Sequence, residues 1–164
     1  MEKRRMETLD TTLRDGAQGE GVVFSLEDKL RIIRTLDELG VDYIEAGNPA
    51  SNPKDEQLFG YLTQGTQCKN AVLTAFGSTC RPGARAEESP ECQKLASCGV
   101  KAVSIFGKTS KLHVEKVLLT TPEENRRMIA DSVAYLAGRG LQVLFDAEHF
   151  FDGYRDDPAY AFSI

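Results

Sequence analysis

The residues best suited to chemistry lie near the start of the chain. Asp10, Arg14 and Asp15 fall within the run Leu9-Asp10-Thr11-Thr12-Leu13-Arg14-Asp15-Gly16-Ala17-Gln18. An aspartate oxygen is a hard ligand suited to Mg, Mn or Zn, and arginine offers a planar fork to a carboxylate or keto oxygen. Together these groups could hold a 2-oxo acid. A salt-bridged turn is the equally open alternative, because neighbouring Arg and Asp residues are common on surfaces.

A second group occurs in Asp146-Ala147-Glu148-His149. Side chains alternate along a strand, so we expect Asp146 and Glu148 to share one side and His149 to face away. Glu148 is the better catalytic candidate, as an acid, a base or a hydrogen-bond partner. The alternative is a loop carboxylate that only meets solvent. His113 lies in a polar stretch, residues 108–116, that we predict to be a solvated turn rather than a binding loop.

Composition argues against several classes of partner. The net charge is −5 and no Lys/Arg block occurs, so we expect no nucleic-acid partner. Gly16, Gly19 and Gly21 fit neither the dinucleotide fingerprint nor a phosphate-binding loop. No apolar run approaches the roughly 20 residues that span a bilayer, and residues 1–6 lead into polar sequence, so we expect no membrane partner and a cytoplasmic location. The four cysteines lack a Cys-x2-Cys pair and predict plain reduced thiols.

Short apolar runs alternate with amphipathic stretches about every 30 residues, the length of a β-α unit. The predicted strands are residues 7–10, 43–46, 71–76, 102–106 and 141–146. All are short and largely apolar, as expected for parallel strands covered on both faces. This rhythm predicts an α/β fold.

Capping residues mark three of the helices between these strands. Ser25 and Asp28 form a capping-box pattern, and Gly40 suits the end of that helix. The predicted apolar stripe of the helix consists of Leu30, Ile33, Leu36 and Leu39. A second helix begins with Ser89 and Pro90 and ends near Gly99. The third begins with Thr121, Pro122 and Glu124 and ends at Gly138 or Gly140.

Five β-α units could form an open flavodoxin-like sheet or part of a closed barrel, and the pattern separates these poorly. Polar residues gather just after the predicted strands, at the edge where a barrel keeps its active site. These residues are Arg14, Asp15, Asn48, Ser78, Thr79, Lys108, Thr109, Ser110, Glu148 and His149. An open α/β sheet uses the same edge, so the placement favours a barrel without excluding the sheet.

Residues 9–21 resemble the N-terminal signature of the 2-isopropylmalate, homocitrate and citramalate synthases, which share a metal-dependent TIM-barrel domain with HMG-CoA lyase. The similarity continues in Ser25-Leu26-Glu27-Asp28-Lys29-Leu30, Asp42-Tyr43-Ile44-Glu45-Ala46-Gly47-Asn48-Pro49, Phe106-Gly107-Lys108-Thr109-Ser110 and Asp146-Ala147-Glu148-His149-Phe150-Phe151-Asp152-Gly153-Tyr154. Within the family the citramalate-synthase type is most similar, because Ala17 stands where many of the other synthases have Glu. The resemblance implies acetyl-CoA as co-substrate, pyruvate as the 2-oxo acid and a role in isoleucine biosynthesis.

The resemblance also implies roles for single residues. Asp15 matches the metal ligand, with Mg, Mn or Zn as the divalent metal. Arg14 matches the residue that contacts the 2-oxo acid, and Glu148 matches the catalytic glutamate after the fifth strand. Gln18 is expected to help bind the substrate. Phe76 and Phe106 could shape the pocket, but packing into the barrel core is the expected role of both.

The chain also departs from this family. Its relatives place a His-x-His metal pair after a later strand, and no His-x-His occurs here. We therefore expect residues 1–164 to form the N-terminal part, about five β-α units, of a TIM (β/α)8 barrel, stopping before the later strands. Alone it is expected to be inactive and, because its sheet is unclosed, either to self-associate as a homo-oligomer or to lack a partner segment that covers the sheet. The alternatives are a 2-isopropylmalate or homocitrate synthase, an HMG-CoA lyase-like lyase, and a non-catalytic oligomerising or regulatory half-barrel.

Overall fold

The computed structural model describes residues 5–63 and 68–164, so residues 1–4 of the polar start lie outside the described residues. Within these described residues there are five strands and seven α-helices, and at least one helix follows each strand. The strands are β1 (Leu9–Asp10), β2 (Tyr43–Gly47), β3 (Val72–Ser78), β4 (Ala102–Lys108) and β5 (Gln142–Glu148). They are hydrogen-bonded neighbours in the order β1-β2-β3-β4-β5. The predicted α/β class is confirmed.

The helices lie between and after the strands. They are α1 (Leu26–Leu39), α2 (Pro53–Leu62), α3 (Pro90–Ser97), α4 (Lys111–Lys116), α5 (Pro122–Gly138), α6 (Phe150–Asp156) and α7 (Pro158–Ser163). Among the described residues, no helix combines the length and the apolar character needed to cross a membrane.

The predicted strand positions are confirmed, but several ends differ. Strands β3, β4 and β5 each run two residues further than predicted, so Ser78, Lys108 and Glu148 are terminal strand residues and not loop residues. Polar residues at the end of a strand look like loop in sequence, although the backbone ladder continues through them. At the other extreme, β1 contains only two of the four predicted residues.

The predicted helix signals are confirmed at α1 and α5. Ser25 and Asp28 make both bonds of a capping box, and Thr121 accepts a hydrogen bond from the backbone N–H of Glu124. The predicted apolar stripe of α1 is wrong at Leu39, which is 74% exposed. Each i+3 step rotates about 60° back around the helix, so three steps carry Leu39 to the face opposite Leu30.

The prediction of a solvated turn at residues 108–116 is wrong. Lys108 ends β4 and residues Lys111–Lys116 form α4. Val114 is fully buried and packs this polar segment against the protein, and such tertiary packing is what stabilises most short helices.

The chain divides into two compact units. The first contains Met1–Phe76 and Cys98–Ala102, and the second contains Gly77–Ser97 and Val103–Ile164. In the first unit, β2 pairs in parallel with both β1 and β3. Its fully buried side chains include Ile33 of α1, Ile44 of β2 and Leu58 of α2.

Asp37 of α1 ties that helix to the segment before β3. Its carboxylate accepts backbone hydrogen bonds from Lys69, Asn70 and Ala71 at 2.8–2.9 Å. Burial alone would raise the pKa of Asp37, but these three N–H donors lower it below its ordinary value. The carboxylate therefore fastens α1 to the start of β3.

The second unit has its own core. One cluster contains the free thiols Cys80 and Cys92 together with Ala86 and Met128. Burial raises the pKa of the Cys92 thiol, which keeps it a neutral, apolar filler. Gly153 of α6 approaches the backbone of Thr109 so closely that an added Cβ would lie 2.3 Å from its carbonyl oxygen. Only glycine permits that packing.

Candidate functional site

The turn after β1 is built by its own backbone and short polar side chains. The carbonyl oxygen of Thr11 accepts hydrogen bonds from the N–H groups of Arg14, Asp15 and Gly16 at 2.9–3.1 Å. Both carboxylate oxygens of Asp10 accept from Thr12, one from its N–H and one from its hydroxyl. Asp10 thus stabilises the turn that presents the next residues.

Arg14 is the most constrained side chain of this turn. Its Nε donates to Glu45 Oε2 at 2.5 Å, and one terminal nitrogen, NH1, donates to Asp15 Oδ1 at 3.0 Å. The guanidinium carbon lies 4.0 Å from the centroid of the Phe76 ring. Glu45 is 1% exposed and the Arg14 side chain 18%, so the pair is largely shielded from water. A planar cation held at one edge and one face is fixed in orientation.

Beneath this turn lies a buried ion pair. Lys29 of α1 and Asp55 of α2 pair at 2.5 Å, with side chains only 10% and 8% exposed. The Lys29 ammonium also donates to the carbonyl oxygen of Leu13 at 3.1 Å, immediately before Arg14. Asp55 accepts from the N–H of Asn48 at 2.9 Å, immediately after β2. One ion pair therefore fixes the segments that follow β1 and β2.

Asp15 and Gln18 lie on the outer side of the same turn. Asp15 is 63% exposed at its side chain, and Gln18 is exposed within a short 3-10 helix, Gly16–Gln18. A solvent-facing carboxylate is chemically suited to a hard cation. Within residues 5–63 and 68–164, however, no group of three or more His, Cys, Asp or Glu side chains is placed to hold a metal ion. Asp15 can thus supply one ligand of a metal site and not a complete set.

Glu148 lies in the second unit, at the end of β5, and its partner is Lys108 at the end of β4. The Lys108 ammonium donates to Glu148 Oε2, with the two side chains 14% and 32% exposed. The Glu148 carbonyl oxygen accepts from Thr109 twice, from its N–H at 3.1 Å and its hydroxyl at 2.6 Å. Both the backbone and the carboxylate of Glu148 are therefore held.

The expectation that His149 faces away from Glu148 is wrong. His149 Nε2 lies 3.9 Å from Glu148 Oε1, and its ring packs edge-on against that of His113 at 4.2 Å. Simple alternation assumes an extended backbone, but His149 has a φ of 59°, in the left-handed region. That conformation ends β5 and turns the imidazole back toward the carboxylate.

Phe76 and Phe106 are half-buried, and neither is a full member of a core. The Phe76 ring lies against the Arg14 guanidinium, and the Lys108 ammonium lies 5.5 Å from the Phe106 centroid. A cation lies over one face of each ring, and core packing by the rest of each side chain stays a prediction.

Sequence reasoning missed three groups that position the predicted residues. Glu45 carried a usable signal, since a lone carboxylate within the buried strand Tyr43–Gly47 requires a partner. Lys108 was expected at the active-site edge but not as the partner of Glu148, and the Lys29–Asp55 pair gave no signal, because contacts across 26 to 40 residues depend on the fold. In sum, Arg14 and Asp15 lie together in the first unit, and Glu148 lies in the second.

The fold is that of a TIM-barrel protein in its N-terminal part, with polar groups at the carboxyl ends of the strands. Solved structures with this arrangement include hydroxymethylglutaryl-CoA lyase from Pseudomonas aeruginosa, at a TM-score of 0.66 and 18% identity, covering 85% of this chain and 44% of that one. The HMG-CoA lyase from Brucella melitensis aligns at a TM-score of 0.63 and 17% identity, covering 85% of this chain and 47% of its own. At these identities the likeness concerns the fold.

The sequence comparison identifies the family. A family profile described as HMGL-like matches residues 5–161, and the chain belongs to that family. It is 52% identical over 155 residues to the (R)-citramalate synthase of Aquifex aeolicus and 47% identical to that of Streptomyces coelicolor. The 2-isopropylmalate synthase of Shouchella clausii is 37% identical over 148 residues, 88% of this chain and 27% of that protein. The chain spans 29% of the length of the first two relatives, which cover 94% of it.

Proposed function

We propose that the protein containing this chain is an acyltransferase that condenses acetyl-CoA with a 2-oxo acid, pyruvate, to give citramalate. The main support is that Arg14 is an oriented, largely desolvated guanidinium, held by Glu45 and the Phe76 ring, beside the exposed carboxylate of Asp15. A fixed cation next to an exposed carboxylate suits a small anionic substrate with a polar oxygen to be stabilised.

Arg14 has the geometry to bind the 2-oxo acid. A guanidinium has five N–H donors, of which Glu45 takes the Nε one and Asp15 takes one on NH1. The remaining donors can bind the substrate carboxylate or the oxyanion that develops at its keto oxygen. Because Glu45 and Phe76 fix the cation beforehand, little reorganisation is needed when that charge appears. Gln18 is proposed as an additional substrate-binding side chain.

Asp15 is proposed as one ligand of a divalent metal, Mg, Mn or Zn. When bound, such a metal supplies Lewis-acid polarisation of the keto oxygen. Arg14 NH1 donates to Asp15 Oδ1 at 3.0 Å, and Oδ2 is the oxygen proposed to bind the metal. The other ligands would come from outside the described residues, and we therefore expect no turnover from the isolated 164-residue chain.

Glu148 is proposed to act on the acetyl group. Acetyl-CoA must lose a methyl proton before its carbon attacks the ketone, and a carboxylate held in place can accept or orient that proton. Lys108 occupies Oε2, which leaves Oε1 as the oxygen available to a substrate. Hydrolysis of the resulting thioester releases CoA.

Pyruvate is favoured over larger 2-oxo acids by the pattern of similarity. Identities to the (R)-citramalate synthases are 44–52%, against 34–37% to the 2-isopropylmalate synthases. Ala17 also removes a candidate substrate-reading carboxylate from the turn. A place in isoleucine biosynthesis, a cytoplasmic location and a homo-oligomeric state belong to the same proposal.

The test is an assay of CoA release by the full-length protein with Mg or Mn. Acetyl-CoA is combined in turn with pyruvate, 2-oxoisovalerate and 2-oxoglutarate, and an Arg14→Gln variant tests the role of the guanidinium. We expect turnover with pyruvate and a loss of at least about 100-fold in kcat/KM in the variant, as for one lost oxyanion donor. Turnover only with 2-oxoisovalerate or 2-oxoglutarate would refute pyruvate as the substrate. The absence of turnover with all three 2-oxo acids would refute the synthase activity.

A further inference from the structure

We infer that Lys108 is a positioning residue for Glu148, which rests on the proposed role of Glu148 in the synthase reaction. Its ammonium contacts one carboxylate oxygen, Oε2, and leaves the other, Oε1, to the substrate. A carboxylate on a free side chain would sample several rotamers, whereas one fixed by a charge-assisted hydrogen bond is held near a single orientation.

Lys108 is itself anchored from behind. Its carbonyl oxygen accepts a hydrogen bond from the side-chain amide of Asn125 at 2.8 Å, and Asn125 is completely buried. The same amide nitrogen donates to the Tyr160 hydroxyl at 2.9 Å. The backbone of Lys108 is thus fixed to α5 and, through Tyr160, to α7. A lysine with only 14% of its side chain exposed has few other positions for its ammonium.

The other end of the contact is equally restrained. Thr109, the first residue after β4, is fully buried and donates twice to the Glu148 carbonyl oxygen. Lys108 and Thr109 therefore hold Glu148 at both its carboxylate and its backbone. His149 Nε2 is 3.9 Å from Oε1, beyond hydrogen-bond distance. Oε1 is therefore hydrogen-bonded by neither Lys108 nor His149.

Four variants of the full-length protein test this role by steady-state kinetics with acetyl-CoA and pyruvate. They are Lys108→Met, Lys108→Arg, Glu148→Gln and the double variant Lys108→Met with Glu148→Gln. Lys111→Met is the matched control, because Lys111 is a neighbouring cation that pairs with Asp157 and is 44% exposed. Crystal structures of the wild type and of Lys108→Met give a readout independent of turnover.

We expect Lys108→Met to lower kcat about tenfold, in the range for charged residues in contact, with little change in the KM for pyruvate. Lys108→Arg should recover most of the loss, and Lys111→Met should match the wild type. In the Glu148→Gln background the Lys108→Met change should add less than about twofold, because its partner is already gone.

Two results would overturn the inference. One is a tenfold loss that persists undiminished in the Glu148→Gln background, which would mean that Lys108 acts independently of Glu148. The other is a Lys108→Met crystal structure with the Glu148 carboxylate unmoved. A wild-type protein without synthase activity would refute the proposed function instead, and the crystal structures would still decide the positioning.

Discussion

The buried Lys29–Asp55 ion pair gives the most quantitative prediction. Replacing Lys29 with Met keeps the chain length and removes the charge, which leaves the Asp55 carboxylate at 8% exposure with only the Asn48 N–H as a described donor. Removing one partner of a buried pair costs about 3–5 kcal/mol, because an uncompensated charge stays in the interior. The retained Asn48 bond places the expected loss at the lower end, about 3 kcal/mol.

Urea denaturation of the chain, followed by circular dichroism, measures this loss. At a slope near 2 kcal/mol per molar, a loss of about 3 kcal/mol moves the midpoint down by about 1.5 M. Pairing Lys29→Met with Asp55→Asn should recover part of that shift, because the amide oxygen can still accept from Asn48 without a buried charge. Arg81→Met breaks an exposed pair with Glu91 and should cost under about 1 kcal/mol. Equal shifts of the urea midpoint for Lys29→Met and Arg81→Met would show that the buried pair contributes no more to stability than the exposed one.

Three further predictions concern the same chain. Gly47→Ala should destabilise the chain by about 1–3 kcal/mol in thermal unfolding, because φ is 148° and the new Cβ would lie 2.5 Å from Asp55. Gly60→Ala, in open space within α2, should stabilise the chain slightly, and similar effects of the two variants would contradict this prediction. Arg127 and the Gly83 N–H lower the pKa of Glu124 to about 2, so the contribution of Glu124 to stability is complete above pH 4.5 and is lost as the pH falls toward 2. When the free energy of unfolding is measured across this pH range, Glu124→Gln should show a weaker dependence on pH than the wild type, and an unchanged dependence would count against the prediction. Phe151 and Phe162 are 83% and 71% exposed, so light scattering should detect self-association of the chain. The double variant Phe151→Ser with Phe162→Ser should self-associate more weakly, and a wild-type chain that stays monomeric at high concentration would exclude this prediction.

The fold could be predicted from the sequence because the residues that mark helix starts and strands lie close together along the chain. Ser25 with Asp28, and Thr121 with Glu124, place helix starts within a few residues, and apolar runs place the strands. Strand ends were less accessible, since Lys108 and Glu148 are polar residues that continue a backbone ladder. The helix α4 was missed because its single buried anchor, Val114, lies among polar residues.

Only the candidate catalytic and ligand-binding residues of the site could be predicted from the sequence. Arg14, Asp15 and Glu148 follow from their types and from family resemblance. Their partners Glu45 and Lys108 lie 31 and 40 residues away in sequence, and only the three-dimensional pairing of strands brings them into contact. Likewise, the left-handed backbone at His149 reverses a side-chain direction that alternation alone had assigned.

Formation of a carbon-carbon bond by this protein can be tested by identifying the product. The full-length protein is incubated with acetyl-CoA, a divalent metal and pyruvate labelled with ¹³C at the keto carbon, and the mixture is followed by NMR. We expect the labelled carbon to become a tertiary alcohol carbon bonded to the acetyl methyl carbon, with one CoA released per product. Unchanged pyruvate, or cleavage of added citramalate without net synthesis, would contradict it.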